Sequence, residues 1–151
     1  MLEFQKYLNP NFIIIEPNVK NKKEFFSTVV SFLSKKLDIK KSVLLKELSQ
    51  REALGSTGIG NGIAIPHCRI DSDLKIQILV VISEKGIDFS AIDSKLVHLF
   101  FVIVAPPKEQ VSYFRVLSHL AKTLEKGDIY SKLLIAKSKD DVYSLLMNKD
   151  L

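Results

Sequence analysis

The chain has 151 residues, 46% hydrophobic and 26% charged, which is enough to enclose a core without disulfide or metal staples and excludes a disordered polymer. Its longest apolar runs, 76–82 and 96–105, are too short to cross a bilayer as helices, and the early acid Glu3 with no apolar stretch behind it argues against a secretory signal. The formal net charge of +5 comes mostly from Lys scattered along predicted helix faces, with no basic stripe interleaved with aromatics, so no nucleic-acid partner is expected.

The single cysteine, Cys68, cannot close an internal disulfide, and the expectation is a cytoplasmic, single-domain protein spanning 1–151. In chain order, Asn11–Ile15 reads as a short strand closed by Glu16-Pro17. Asn21 is placed to cap a helix over 22–37, whose apolar residues Phe25, Phe26, Val29, Val30, Leu33 and Leu37 share one face. A second helix over Lys41–Ala53 points Leu44, Leu45 and Leu48 inward and ends at Gly55. Gly58, Gly60 and Gly62 signal a turn, followed by a short strand at Ile63-Ala64-Ile65 that Pro66 stops. Ile76–Ser83 and Val97–Val104 are rich in β-branched residues with little alternation, as in strands covered on both faces; Lys85-Gly86 marks a break between them. From Lys108 the period turns helical, with Val111, Phe114, Leu117, Ala121 and Leu124 on one face and Gly127 as the stop. Two short helices close the chain near 129–136 and 140–147, the last capped by Ser138 with Asp141 behind it. This order predicts an α/β fold, one sheet with helices on its faces.

The chemistry concentrates in Arg51–His67. His67 follows a strand and a proline, which sets its imidazole on a rigid segment at a sheet edge. Ser56, Thr57 and the glycine amides before it can turn inward around an anion. Arg51, near the predicted end of a helix, can supply a forked donor to phosphate oxygens. Arg is scarce here, present only at 51, 69 and 115, and two of the three flank His67. A neutral imidazole is a nitrogen nucleophile near neutral pH, and phosphoryl transfer asks mainly for positioning and charge stabilisation, with no metal or cofactor required. The glycines do not form a P-loop, since no Gly-Lys-Ser/Thr follows, nor a dinucleotide fingerprint, since they lead into a strand rather than out of one. From spacing alone, the alternative that they merely shape a tight loop beside a bystander histidine stays open.

The stretch Ser56-Thr57-Gly58-Ile59-Gly60-Asn61-Gly62-Ile63-Ala64-Ile65-Pro66-His67 closely resembles the active-site signature of fructose/mannitol-type IIA domains of the sugar phosphotransferase system and of their nitrogen-regulatory relatives. Arg51-Glu52, Gly86-Ile87-Asp88-Phe89, Ile92-Asp93, Val97-His98, Phe101, Ala105-Pro106 and Leu117–Ala121 continue the likeness over nearly the whole chain. The resemblance implies a three-layer α/β/α sandwich with a mixed sheet. It implies a phosphotransferase component in which His67 receives a phosphoryl group from HPr through Nε2 and Arg51 steadies it. The usual acceptor would be a IIB cysteine, with a membrane IIC component moving the sugar. A regulatory role, in which phosphorylation changes the protein partner, is the alternative, and a degenerate relative that takes no phosphate is a third.

The chain departs from that pattern at Tyr113, where the family often carries a second histidine; a phenol can donate to a phosphate oxygen but is not cationic at neutral pH. His119 cannot replace it, pointing about 240° around the helix from Tyr113. Ser56, Thr57 and Tyr113 are therefore the candidate phosphate contacts beside His67 and Arg51. Cys68 and Arg69 stand where a glycine and a variable residue are common, and Cys68 is expected to be a buried thiol. His98 is expected to be structural, with a backbone partner, and Asp88 and Asp93 to organise turns.

Overall fold

A computed structural model describes residues 1–151. Its strands are β1 (Ile13–Ile15), β2 (Gly58–Gly60), β3 (Ile63–Ala64), β4 (His67–Arg69), β5 (Gln77–Ile87) and β6 (Val97–Ala105). Its α-helices are α1 (Lys22–Leu37), α2 (Lys41–Ala53), α3 (Gln110–Glu125), α4 (Asp128–Ile135) and α5 (Lys139–Leu146). The strands form one mixed sheet in the order β1-β5-β6-β3-β2, with β4 also on β6. β5 and β6 are antiparallel; β1 runs parallel to β5, and β3 and β4 run parallel to β6.

The uniform hydrophobicity of β5 and β6 is explained by two buried faces. Ile78, Val80 and Ile82 lie opposite Ile103, Phe101 and Leu99, and together they pack on α3, α4 and α5. The alternate residues Leu79, Val81, Phe100, Val102 and Val104 pack on α1 and α2, where Phe25 stacks on Phe100 with ring centroids 4.2 Å apart. Each fully buried aromatic of this kind contributes about 2–3 kcal/mol through burial alone. The α/β/α sandwich expected from the sequence is the observed architecture. No helix is long and apolar enough to cross a membrane.

Several local expectations hold. Asn21 Oδ1 accepts from Glu24 N–H (2.9 Å), and Ser138 Oγ accepts from Asp141 N–H (3.1 Å). Others change. Gly58–Gly60, read as a turn, forms a strand antiparallel to β3, with the reversal at Asn61-Gly62. Gly62 sits at φ +78°, and the Tyr130 hydroxyl occupies the place its Cβ would need, so glycine is required there twice over. Lys85-Gly86 is not a break: β5 runs through it with a register shift, Gly86 taking φ +80°. Pro66 does not end pairing either. It lacks an N–H, but its carbonyl still accepts from Ile103 N–H (2.9 Å), and β4 resumes on β6 one residue later. Two faces are also rotated. In α2, Leu44 and Leu48 are buried while Leu45 is exposed. In α3 the buried stripe is Tyr113, Val116, Leu120 and Leu124, leaving Val111 (65% exposed) and Phe114 (54% exposed) in solvent. Both stripes obey helical spacing, and the position of the sheet decides between them.

Candidate functional site

The C-terminal end of α2, strand β4 and the first turn and a half of α3 meet around an open hollow of about 650 Å³, lined among others by Arg51, Leu54, His67, Arg69 and Tyr113. β4 holds His67 and Arg69 two residues apart, so both side chains leave the same face, while Cys68 turns into the opposite core. Burial pushes the Cys68 thiol up to about 12, which removes it as a nucleophile at neutral pH.

The His67 tautomer follows from its neighbours. Nδ1 lies 2.7 Å from the Ile65 carbonyl oxygen, which can only accept, so Nδ1 carries the proton. Nε2 faces Arg51 Nε–H at 3.2 Å, which can only donate, so Nε2 presents a lone pair. The two contacts agree on one neutral ring whose Nε2 lone pair accepts from Arg51, both residues lining the hollow. Arg51 is fixed in turn by Nη1 donating to the Gly55 carbonyl (2.9 Å) at the end of α2. The Tyr113 ring lies tilted near the imidazole, ring centroids 5.9 Å apart, and the Arg69 guanidinium lies 4.9 Å from the Tyr113 centroid and 5.4 Å from that of Phe114. Two guanidinium groups and a phenol stand near the imidazole, and of the nearby carboxylates Glu52 is already bound to Lys22 and Thr57 while Glu47 lines the hollow.

Burial holds the His67 pKa below the ordinary imidazole value. The Ile65 carbonyl opposes that shift, and the Arg51 and Arg69 charges reinforce it. A lowered pKa keeps the ring neutral to lower pH than a free histidine. In an NMR titration the His67 midpoint is therefore expected below about 6.5. A midpoint at or above that value would contradict the arrangement.

The family described as "Phosphoenolpyruvate-dependent sugar phosphotransferase system, EIIA 2" matches residues 6–149. The chain belongs to that family. This EIIA 2 chain is 30% identical over 146 residues to a "Nitrogen regulatory protein" of Klebsiella oxytoca, covering 96% of this chain and 90% of the relative. It is 38% identical over 102 residues to a "PTS system fructose-specific EIIA component" of Haloferax volcanii, covering 68% of this chain and 66% of the relative. The crystal structure of the nitrogen regulatory protein IIA-Ntr from Neisseria meningitidis superposes with a TM-score of 0.88 at 28% identity, over 94% of this chain and 97% of that one.

Of the sequence-predicted site residues in this EIIA chain, the structure brings His67, Arg51 and Tyr113 together at the hollow. Ser56 and Thr57 are not among the residues lining it. Ser56 Oγ–H donates to the Phe89 carbonyl (2.7 Å), and Thr57 Oγ1–H donates to Glu52 Oε2 (2.6 Å), so both hydroxyls hold the loop instead of facing the imidazole. His98 has the expected backbone partners, its Nδ1 standing 3.0 Å from the carbonyls of Ser83 and Glu84. His119 is packed, its Nδ1 accepting from Glu3 N–H (3.0 Å). Asp93 accepts from Asn61 N–H and Lys95 N–H, and Asp88 from Ser90 N–H, organising turns as expected. Two residues received no role at the site from the sequence: Glu52, which anchors the loop before β2, and Arg69, which the sequence marks only as a scarce Arg flanking His67. Strand alternation from His67 points to Arg69 once β4 is recognised as a strand.

Proposed function

We propose that this chain is a phosphohistidine carrier that accepts a phosphoryl group from HPr on His67 Nε2. The observation that carries the reading is the locked tautomer, with Nδ1–H on the Ile65 carbonyl and the Nε2 lone pair beside the Arg51 guanidinium. In the step, the Nε2 pair forms the new P–N bond while the donor's P–N bond breaks and its electrons return to the donor imidazole. The proton stays on Nδ1, still donated to the Ile65 carbonyl, and Arg51 Nε–H moves from Nε2 to a phosphoryl oxygen, where it offsets charge. Ser56 and Thr57 serve this reading by fixing the loop, and Tyr113 by walling the ring.

For the output, a regulatory role is favoured, in which the phosphorylation state selects a protein partner. Relatives of near-equal length, matched almost end to end, carry the name "Nitrogen regulatory protein". Delivery to a IIB component for sugar uptake is the second reading, favoured by the fructose-specific relative at 38% identity.

Incubation with phosphorylated HPr is expected to add one acid-labile phosphoryl group, mapped to His67 by mass spectrometry. No labelling, or labelling elsewhere, would overturn the reading. Subsequent loss of the label to a IIB cysteine would select transport over regulation. Arg51→Gln should slow acceptance about 100-fold, equivalent to about 2.7 kcal/mol of barrier, with an unchanged unfolding curve. An unaltered rate would remove Arg51 from the mechanism.

A further inference from the structure

The Arg51 guanidinium is accounted for by Nε2 and the Gly55 carbonyl; that of Arg69 has no comparable role in the fold. Each ion pair in the molecule is made by a lysine, Lys6 with Glu3, Lys22 with Glu52 and Lys132 with Asp128, so Arg69 has no carboxylate partner. Its charge is instead held over the faces of Tyr113 and Phe114. Phe114 is an exposed aromatic on the solvent side of α3, and carrying Arg69 gives its position a physical reason. His67 and Arg69 leave one face of a three-residue strand pinned to β6 at Ile103 and Ala105, so their spacing is set by backbone pairing. A guanidinium paired with no carboxylate, not even Glu47 of the same hollow, and held over two rings beside His67, is arranged to receive an anion there.

We propose that Arg69 is the second guanidinium of the phosphoryl site: it bonds the oxygens of the group carried on His67, with Tyr113 and Phe114 as positioning residues for its side chain. This rests on the phosphohistidine reading and deepens it. With Arg51 at Nε2 and Arg69 over the Tyr113 ring, two cations serve the imidazole, and the phenol at 113 supports a charge instead of supplying one. Lys would supply the charge but not the planar stack, so Arg and Lys are not equivalent at this position.

The test uses the full chain and phosphoramidate, a small donor that needs no docking surface. Its amine takes a proton and leaves as ammonia while phosphorus bonds Nε2. The wild type, Arg69→Gln, Arg69→Lys and Phe114→Ala are labelled, and the phosphoryl group is titrated by phosphorus NMR. Losing a nearby cation disfavours the dianion, so the phosphoryl midpoint should rise by about one pH unit in Arg69→Gln. Labelling should slow by about tenfold or more. Arg69→Lys should recover part of both, and Phe114→Ala should move the midpoint the same way by less. A purely structural role for Arg69 would leave the midpoint in place. A labelled wild type with the same midpoint and rate in Arg69→Gln overturns the proposal and leaves the His67 reading standing. A wild type that takes no phosphoryl group from either phosphoramidate or phosphorylated HPr sinks both, because Arg69 would have no anion to meet.

Discussion

Replacing His67 by Gln is expected to abolish phosphoryl labelling while the thermal unfolding midpoint stays within about 4 °C of the wild type. The first half follows because no neighbouring group can take over. Burial raises the Tyr113 pKa above the ordinary phenol value, the Arg69 charge only partly opposing it, so its oxygen is protonated at neutral pH. Cys68, one residue on, is directed into the other face of the sheet with its thiol protonated. His98 is bonded to β5 carbonyls and His119 to the N-terminal segment, both away from the hollow. The second half follows because the ring is only half-buried, and of its two hydrogen bonds, to the Ile65 carbonyl and from Arg51, the Gln amide can remake one, leaving a net loss of about 1 kcal/mol. Circular dichroism and intact-mass measurement on the same sample check both parts. Full labelling of His67→Gln would place the nucleophile elsewhere and end the carrier reading. A large drop in stability would instead assign His67 a structural role.

The parts of the molecule visible in the sequence are those where one local rule acts alone. Long apolar runs covered on both faces gave β5 and β6, and capping side chains fixed the starts of α1 and α5. Arg51 and His67 were legible through the resemblance of the long glycine-led motif, because spacing alone left a bystander histidine open. The losses occur where two rules compete. Pro66 is a strand breaker by its missing N–H, yet only one ladder bond is lost, and β6 supplies a template on which pairing resumes at His67. Reading Pro66 as an end hid β4, and with it the alternation that sets Arg69 beside His67. On α3, two overlapping apolar stripes satisfy the same period, so pattern alone could not say that Tyr113 faces inward and Phe114 outward. The hydroxyls of Ser56 and Thr57 are generic anion ligands by chemistry, but in the fold both are already committed, to Phe89 and Glu52.

Glu52→Ala is expected to be the most destabilising single change in the motif, by about 3 kcal/mol, although no reacting atom is touched. Glu52 is 8% exposed, and both its oxygens are used. Oε1 accepts from Lys22 Nζ (2.8 Å) and Thr57 N–H (3.1 Å), and Oε2 accepts from Thr57 Oγ1–H (2.6 Å). Truncation leaves the Thr57 amide and hydroxyl buried without an acceptor, at about 1–3 kcal/mol each. Lys22 contributes less, because its side chain is 29% exposed and can turn back to water. In a chain of this length the loss corresponds to roughly a 10 °C fall in unfolding midpoint. Glu52→Gln keeps one acceptor and should fall by less than half as much. The consequence for function is indirect but specific. Arg51 and Glu52 are successive residues of α2, one reaching forward to Nε2 and the other gripping the loop that leads into β2. Freeing that loop loosens the approach to β3 and β4, so phosphoryl acceptance should drop even at temperatures where Glu52→Ala remains folded. If Glu52→Ala melts with the wild type, the buried carboxylate is not the pin that holds the glycine loop.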